Sequence, residues 1–592
     1  MQERIKEGTA LVVFGEEMPR GWLKSGRRYD AVIASSNLQG EVESAGFAWQ
    51  SLDELVGPGS VYNAAALLKE LSQLLLPNGS RLVKATVYKG YELWWGHYSN
   101  LFLYFCLPYT QYRKLLEYLR QFGTVSVYQT PYEALITAYL TAYGIRLSLL
   151  RKGRLKSPSV LPLGVFLQML LTAVSVLILM VRKRRLAVFT GDKFGKDKDY
   201  DVRMKLIYEE LRGRHIPFVE VIRSLEPSAN VLAHAWKRRR PAIYSEAVTF
   251  LGRFISVLSG GRARTRKKFA FNAIAGEADP EQRFKFAISS QYLLAECDDI
   301  WAIRIMRLLM RATGIRVLCT TATTERSWHT ILACKLNGIP TIGIMHGVAP
   351  RSYVMYDFLP GFDGAKTLST DRYGLWSEWW KDYYLKYSDA YRPEQLFVSG
   401  PMRPLERAQE EPAPSKGNGR LKVLFIAEQL GYPPEVLPYL SALIDMDDID
   451  LYIKFRPYRD GFEQWLAKHR PELLRGVTVL RGSVSEAVSI CDVVVGSHST
   501  AALEALLALK PPIFYKTEKW GDYFELKEYG SSHAFFAQTP EELIMRVRGS
   551  KSTAPAELRE LQERYFGDPH KNGSAWVVDQ AEKILRRDGP FL

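Results

Sequence analysis

The chain has 592 residues, a formal net charge of +15, and hydrophobic and charged shares of 47% and 24%. At roughly 100–200 residues per domain this length predicts several domains, and the composition excludes a chain that is mainly disordered or built from repeats. The charge points to an anionic membrane or a phosphorylated substrate rather than to nucleic acid, because no zinc-finger, helix-turn-helix or RNA-recognition signature accompanies it.

The first 150 residues alternate the patterns of strands and helices. Short β-rich runs occur at Leu11–Gly15, Ala31–Ser35 and Thr124–Gln129, and helical patterns occur at Tyr112–Phe122 and Pro131–Tyr143. This alternation predicts a parallel sheet with crossover helices, so we expect residues 1–150 to form an α/β domain.

An apolar segment follows at Ser157–Val181, which contains 25 residues and no charge. This exceeds the ~20 residues that a helix needs to cross a bilayer. Basic residues flank both ends, at 151–156 and 182–185, so the flanking charge assigns no orientation. We expect residues 151–185 to lie on an anionic membrane surface without crossing it. A single crossing and a hydrophobic helix buried between domains are the alternatives.

A second α/β unit is predicted at residues 186–403 and a third at residues 421–592. Strand patterns occur at Leu186–Gly191, Ile216–Ile222, Ile315–Thr320 and Pro340–Met345, and again at Leu421–Ala427, Asp450–Phe455, Val477–Leu480, Asp492–Gly496 and Pro512–Tyr515. Residues 404–420, rich in Pro, Gly and charge, are typical of a linker. Parallel sheets bind ligands beyond the carboxyl ends of their strands, so we expect the ligand between these two units.

The most informative run is Cys491–Tyr515. Its strand ends in a loop of small and polar residues, Gly496, Ser497, His498, Ser499 and Thr500, and a helix is predicted from the next residue onward. Small residues let a ligand approach the backbone, and the N–H groups at a helix start suit a phosphate. Glu504, one turn into this helix, is placed to accept a hydrogen bond from a ribose hydroxyl. The alternative is that Ser499 and Thr500 merely cap the helix.

This run resembles the donor-site segment of GT-B glycosyltransferases that make bacterial capsules and teichoic acids. Among these are the 3-deoxy-manno-octulosonate transferases, the CDP-glycerol glycerophosphotransferases and the bacterial polysialyltransferases. Three further segments are similar to motifs of that superfamily: Pro340–Gly347 with Tyr353 after it, Phe397–Pro401, and Tyr565–Ala575. The resemblance covers about residues 310–590. It implies a GT-B arrangement of two Rossmann-like domains that use a nucleotide-sugar donor and no metal, preceded here by an extra α/β domain and the apolar segment.

One motif departs from the superfamily. Lys454-Phe455-Arg456-Pro457 stands where many relatives carry K-x-H-P, whose histidine contacts the donor phosphate. Arg456 would keep the anion binding, because a guanidinium is a permanently charged bidentate ligand, but it cannot transfer a proton. Lys454 would reinforce a diphosphate site. The alternative is a surface charge pair.

A glycosyl transfer with inversion needs a base on the acceptor side. Three residues at predicted carboxyl ends of strands are candidates: Glu325, His346 and Asp192. Each has a structural alternative, since Glu325 can satisfy a helix dipole, His346 can brace the domain interface and Asp192 can occupy a turn. His329, one helical turn beyond Glu325, is a candidate partner for it.

Metal and cofactor sites are not expected. Asp197 and Asp199 lie among lysines, unlike a carboxylate cage. Five scattered cysteines without a C-x-x-C spacing argue against structural zinc and a disulfide framework, and they indicate a reducing compartment.

We therefore expect an enzyme that moves a sugar, or a sugar-like phosphate group, from an activated nucleotide to a lipid-linked or polymeric acceptor of surface-polysaccharide synthesis. Its expected location is the cytoplasmic face of the cell membrane. One alternative is a non-catalytic GT-B-like scaffold of a polysaccharide assembly complex. Another is an enzyme like UDP-N-acetylglucosamine 2-epimerase, which shares the two-domain fold but has no use for the apolar segment. The oligomeric state does not follow from the sequence.

Overall fold

Three parallel β-sheets follow one another along the chain, each flanked by the helices that connect its strands. The computed structural model describes residues 8–19, 22, 28–76, 79–150, 163–182, 184–191, 204–223, 232, 235–236, 240–269, 279–321, 328–348, 350–354, 358, 363, 369–405, 419–428, 431–456, 461–529 and 534–586. In every sheet the first strand lies inside and later strands are added on both sides, as in doubly wound α/β folds. The predicted α/β class is confirmed.

The first sheet belongs to the N-terminal part of the chain. Its strands are β1 (Thr9–Val13), β2 (Ala31–Ala34), β3 (Trp49–Ser51), β6 (Thr124–Tyr128) and β7 (Arg146–Leu150), with a short antiparallel pair β4 (Val87–Tyr88) and β5 (Tyr91–Glu92). Its helices are α1 (Gln39–Ser44), α2 (Leu52–Leu55), α3 (Val61–Ser72), α4 (Tyr98–Leu101), α5 (Leu107–Tyr118) and α6 (Glu133–Ala142). The strand order is β3-β2-β1-β6-β7. β1 is central because its residues from Ala10 to Val13 are apolar and fully buried, as a strand covered on both faces requires.

The described part of the apolar segment forms one helix, α7 (Leu163–Val181). Its mean hydropathy is 2.4, and among the described residues it is the helix long and apolar enough to cross a membrane. Only 33% of the 18-residue apolar stretch within this helix is buried, which excludes a helix enclosed by the domains. Residues 151–162, which carry the predicted N-terminal basic flank, lie outside the described residues.

The second sheet has seven strands: β8 (Leu186–Gly191), β9 (Phe218–Arg223), β10 (Ala242–Tyr244), β11 (Val317–Thr320), β12 (Thr341–Ile344), β13 (Arg372–Leu375) and β14 (Leu396–Val398). Its helices are α8 (Lys205–Gly213), α9 (Ser245–Leu258), α10 (Gly261–Lys268), α11 (Pro280–Leu294), α12 (Glu296–Thr313), α13 (Trp328–Lys335) and α14 (Glu378–Tyr387). The order β10-β9-β8-β11-β12-β13-β14 leaves β10 at one edge, where α7 packs on it.

The third sheet follows the linker, of which residues 406–418 lie outside the described residues. Its strands are β15 (Leu421–Ile426), β16 (Ile449–Lys454), β17 (Thr478–Leu480), β18 (Val493–Gly496), β19 (Pro512–Tyr515) and β20 (Phe536–Ala537). Its helices are α15 (Pro433–Ile444), α16 (Gly461–His469), α17 (Pro471–Arg475), α18 (Val484–Ile490), α19 (Thr500–Leu503), α20 (Pro540–Gly549), α21 (Pro555–Phe566) and α22 (Gly573–Arg586). The order is β17-β16-β15-β18-β19-β20. The last helix, α22, returns to the second sheet, where Val577 and Ala581 share a core with Leu186 and Ile344.

The three sheets form one packed body. A single cluster of buried apolar side chains contains Val127 of the first sheet, Leu375 of the second and Val495 of the third. Polar contacts support the same arrangement: the Val61 amide donates to the Lys519 carbonyl over 3.0 Å. The N-terminal domain is therefore an integral part of the molecule and lies against both of the other domains.

Candidate functional site

The candidate site begins where the third sheet reverses its winding, between β15 and β18. From β15 the sheet continues to β16 on one side, and from β18 it continues to β19 on the other. The loops that follow β15 and β18 therefore diverge and leave a crevice between them. Glu428 follows β15, and the loop Gly496–Ser499 follows β18. Both therefore lie at the carboxyl edge where ligands of parallel sheets bind.

The Glu428 carboxylate fills this crevice. Its Oε1 accepts hydrogen bonds from the backbone amides of Ser497, His498 and Ser499, each over 2.8 Å. Its Oε2 lies against Nδ1 of His498, whose ring stacks on Trp520 with centroids 4.0 Å apart. Burial alone would raise the pKa of Glu428, but the imidazole and the amides together hold that pKa below its ordinary value. The loop is thus organised around an anion that the protein itself supplies.

Two cationic residues lie at the carboxyl end of β16, which neighbours β15 on the side away from the loop. Lys454 ends the strand and is 5% exposed, and among the described residues no carboxylate forms an ion pair with its ammonium. Burial, with Arg481 nearby, lowers its pKa. Arg456 is exposed two residues later. Two strand spacings, roughly 10 Å, separate β16 from β18, so Lys454 belongs to the far side of the crevice from Ser499.

A cavity of about 100 Å³ lies between the second and third domains. Its wall brings together His346, which follows β12, and Glu504, which follows α19. Arg403, the residue directly before the linker, also lines it. The remaining lining residues are apolar: Leu206, Trp376, Pro401, Met402, Leu507 and Phe566. This combination of an apolar wall with a few converging polar groups is typical of small-ligand sites.

The two titratable groups of this cavity have different chemistry. Burial raises the pKa of Glu504, with Arg403 acting in the opposite direction, and no described residue hydrogen-bonds its carboxylate. His346 lies within hydrogen-bond distance of the Thr321 carbonyl oxygen, 3.3 Å from Nδ1. Because a carbonyl only accepts, Nδ1 carries the proton in the neutral ring, and Nε2 is the basic nitrogen.

The two domains are joined beside this cavity. The amide of Val348 donates to Oγ1 of Thr500 over 3.1 Å, and the Tyr523 hydroxyl donates to the Val348 carbonyl over 3.0 Å. The segment after β12 is thereby attached to the start of α19. His346 and Glu504 thus belong to different domains but line the same cavity.

No family model and no curated protein matches the chain. Among solved structures, a glycosyltransferase from Rickettsia africae ESF-5 is 10% identical over 69% of this chain and 100% of its own, with a TM-score of 0.39. A UDP-GlcNAc 2-epimerase from Neisseria meningitidis, bound to UDP-GlcNAc, is 12% identical over 68% and 100%, with a TM-score of 0.38. MurG from Acinetobacter baumannii is 13% identical over 67% and 99%, with a TM-score of 0.37. At these identities and scores the likenesses do not distinguish between the activities.

The structure differs from the sequence prediction at the loop after β18. The predicted helix is only four residues long, Thr500–Leu503, and continues as a 3₁₀ turn that starts at Glu504. The N-cap residue Ser499 accepts a hydrogen bond from the Ala501 amide through its side chain. Ser499 therefore caps the helix, as the structural alternative for this residue predicted. The amides that we expected to face a phosphate donate instead to Glu428. A side-chain carboxylate from the neighbouring strand has taken the position of the anion.

Of the three candidate bases, the structure describes only His346. His346 lies in the cavity wall, whereas Asp192 and Glu325 lie outside the described residues and stay predictions. His329, the predicted partner of Glu325, binds Asp299 through Nε2 over 2.8 Å. The same carboxylate accepts from His97 of the first domain over 2.6 Å. The structure thus assigns His329 to a contact between domains.

Sequence reasoning missed Glu428, Arg403 and Trp520. A carboxylate directly after a buried strand, as in the run Leu421–Gln429, is a signal that points to Glu428. Its partners are 69 to 71 residues away, so the sequence pattern contains no sign of the pairing.

Proposed function

We propose that this protein is a glycosyltransferase of the GT-B type. It would transfer a sugar, or a sugar-like phosphate group, from a nucleotide-activated donor to a lipid-linked or polymeric acceptor of surface polysaccharide. The observation that carries the proposal is the cavity between two parallel sheets, with His346 from one domain and Glu504 from the other. The motif resemblance of residues 310–590 supports the choice of reaction.

In this proposal each polar residue has a separate task. Glu504 accepts hydrogen bonds from ribose hydroxyls, which it can do without displacing a donor from any residue that the structure describes. Lys454 and Arg456 neutralise the phosphates and stabilise the leaving nucleotide, a task that basic side chains perform without a metal. His346 takes the proton of the acceptor hydroxyl at Nε2, with Glu325 and Asp192 as the other candidate bases.

Calorimetric titration with CMP, CDP, UDP and GDP tests the proposal and identifies the base of the donor. Glu504→Gln should weaken the binding of the preferred nucleotide by about 1.5–3 kcal/mol, the usual loss for a hydrogen bond to a charged group. Asp492→Asn is the matched control: its carboxylate accepts from the Lys422 amide at the amino end of the same sheet, far from the cavity. Failure of all four nucleotides to bind, or equal loss in both variants, would refute the site.

The dependence on pH gives an independent test of Glu504. Because its pKa is raised, its carboxylate gains a proton at a pH above the ordinary carboxyl range. Nucleotide affinity should therefore fall as the pH drops through this raised pKa, and the fall should be absent in Glu504→Gln. An identical pH profile in both proteins would exclude Glu504 from the binding site.

A non-catalytic scaffold is the second candidate, and Glu428 favours it. The amides best placed to bind a donor phosphate are engaged by this carboxylate, and Arg456 stands where relatives have histidine. A scaffold would neither hydrolyse nor transfer any nucleotide sugar, whereas the favoured enzyme would release nucleotide from its donor in the presence of acceptor. Nucleotide release by the purified protein separates the two.

A further inference from the structure

Helix α7 presents its apolar side chains outward. Leu163, Phe166, Leu170, Val174, Leu177 and Val181 recur at intervals of three and four residues, and each is between 45% and 85% exposed. This spacing places them on one face of the helix. A surface helix of a water-soluble protein turns such a face toward the core, so α7 has the reverse orientation.

The opposite face of α7 is polar and binds the edge of the second sheet. Gln168, Thr172 and Ser175 are buried there. Oγ1 of Thr172 accepts from the Tyr244 amide over 3.1 Å, and Oγ of Ser175 accepts from the Ala242 amide over 3.0 Å. These amides belong to β10, an edge strand whose outward N–H groups need partners. The contacts fix the rotation of α7 and keep its apolar face outward.

Two further helices of the same domain, α9 and α10, expose apolar and basic side chains. α9, which packs against α7, exposes Phe254, Val257 and Leu258 at its C-terminal end. Gly260, in the left-handed conformation at φ +66°, then turns the chain directly into α10. α10 has the sequence GRARTRKK, in which only Gly261 and Thr265 are buried. An apolar surface is thereby followed at once by a strongly basic helix.

Several basic side chains of α9 and α10 form no ion pair within the described part of the chain. Arg262 and Lys268 pair with Asp298 and Glu296 of α12, which fixes α10 on the domain. In contrast, Arg253, Arg266 and Lys267 are exposed and form no ion pair with any residue that the structure describes. They are therefore available to anions outside the protein.

We propose that α7, the end of α9 and α10 together form a docking face for an anionic lipid bilayer, with α7 lying in the plane of the membrane. Apolar side chains would enter the headgroup and acyl boundary while the basic residues bind phosphate headgroups. The proposal is independent of the transfer reaction. A second copy of the chain is the less favourable occupant, because two such basic faces repel each other.

The packing of the domains determines that α7 lies flat. The N-terminal domain precedes α7 and the other two follow it, yet they contact each other directly: Arg283 donates to the Ala142 carbonyl over 2.9 Å, and His97 binds Asp299. A helix that crossed the bilayer would place these partners on opposite sides. Its contact with β10 along the polar face leaves only one side for lipid.

Vesicle flotation of the full chain tests the apolar part. Wild-type protein should float with vesicles of phosphatidylcholine and phosphatidylglycerol mixed three to one. Replacing Leu170, Leu177 and Leu258 by serine should abolish flotation, because apolar insertion is lost. The matched control replaces Met545 and Ile490, which are also exposed apolar residues but belong to the third domain, by serine and should float like the wild type. All five side chains are exposed, so the unfolding temperature of each variant should stay at the wild-type value.

Charge variants test the basic part. Changing Arg253, Arg266 and Lys267 to glutamine should weaken binding to the mixed vesicles by about fivefold per residue at low salt. Changing Lys551 and Arg559, exposed in the third domain, should have no effect. The loss should be much smaller at high salt, where the headgroup attraction of the wild type is screened.

Three outcomes would overturn the proposal. The first is a wild-type chain that stays with the soluble fraction, or one that binds pure phosphatidylcholine vesicles as tightly as the anionic ones. The second is a dimer in sedimentation that the three serine substitutions dissociate, which would assign the face to a second copy. The third is cleavage of the N-terminal domain by protease added outside intact spheroplasts, which would show a crossing.

Discussion

Replacing Glu428 is the most informative single perturbation of this structure. In Glu428→Ala the amides of Ser497, His498 and Ser499 lose their common acceptor at once. A buried amide without a partner costs about 1–3 kcal/mol, and opening a buried charged network usually costs about 3–5 kcal/mol. Because the small loop cannot close the gap, we expect a destabilisation of ~4 kcal/mol. For a domain of this size that corresponds to a fall of the unfolding temperature by about 8–16 °C.

Thermal unfolding and amide hydrogen exchange measure this effect. Exchange at residues 497–499 should become faster in Glu428→Ala, while the amides of β16 and β19 should keep their wild-type rates. Glu428→Gln should lie between wild type and Ala, since it retains one acceptor oxygen without the charge. Glu472→Gln, which alters an exposed carboxylate paired with Arg470, should leave both measurements unchanged. An unfolding temperature and amide exchange rates at the wild-type values in Glu428→Ala would refute the structural role of this carboxylate.

The sign of the pH dependence follows from the lowered pKa of Glu428. The stabilisation is fully present above the ordinary glutamate pKa and is lost as the pH falls through the lower value of the folded state. The difference in stability between wild type and Glu428→Gln should therefore shrink in acid and vanish below that folded-state pKa. A difference that grows on acidification would contradict the assignment of the charged form.

Three further predictions concern the neighbouring residues. Arg456→Ala should weaken nucleotide binding by about 1.5–3 kcal/mol without changing the unfolding temperature, and unchanged affinity would remove Arg456 from the phosphate site. His346→Asn can keep the bond to the Thr321 carbonyl, but it should lower turnover by ~10²–10⁴-fold at constant nucleotide affinity; near wild-type turnover would transfer the role of base to Glu325 or Asp192. Asp299→Asn removes the charge that joins two histidines of different domains and should destabilise the protein by about 3–5 kcal/mol, which thermal unfolding measures directly.

The sequence determined many of the strands, because each of these has a local cause. Leu421–Ala427 and Asp492–Gly496 are short apolar runs bounded by polar residues, and β15 and β18 occur there within one residue at either end. The 25-residue apolar run likewise contains α7, because the 19 residues that follow Pro162 carry neither charge nor proline and favour a continuous helix. Local pattern also placed His346 at a strand end and Glu504 one turn into the helix after β18, and both line the cavity.

Only the tertiary structure decided which residues meet. The sequence contains the amides of residues 497–499 and the carboxylate of Glu428, but their pairing depends on β15 and β18 being neighbours in the sheet. The same holds for α7: its composition predicts contact with lipid, whereas its orientation depends on the unpaired amides of β10. Local propensity acts over a few residues, while partner choice depends on which strand edges and charges remain unsatisfied after packing. That is why the sequence indicated an anion at the loop after β18 and only the folded chain identified that anion as Glu428.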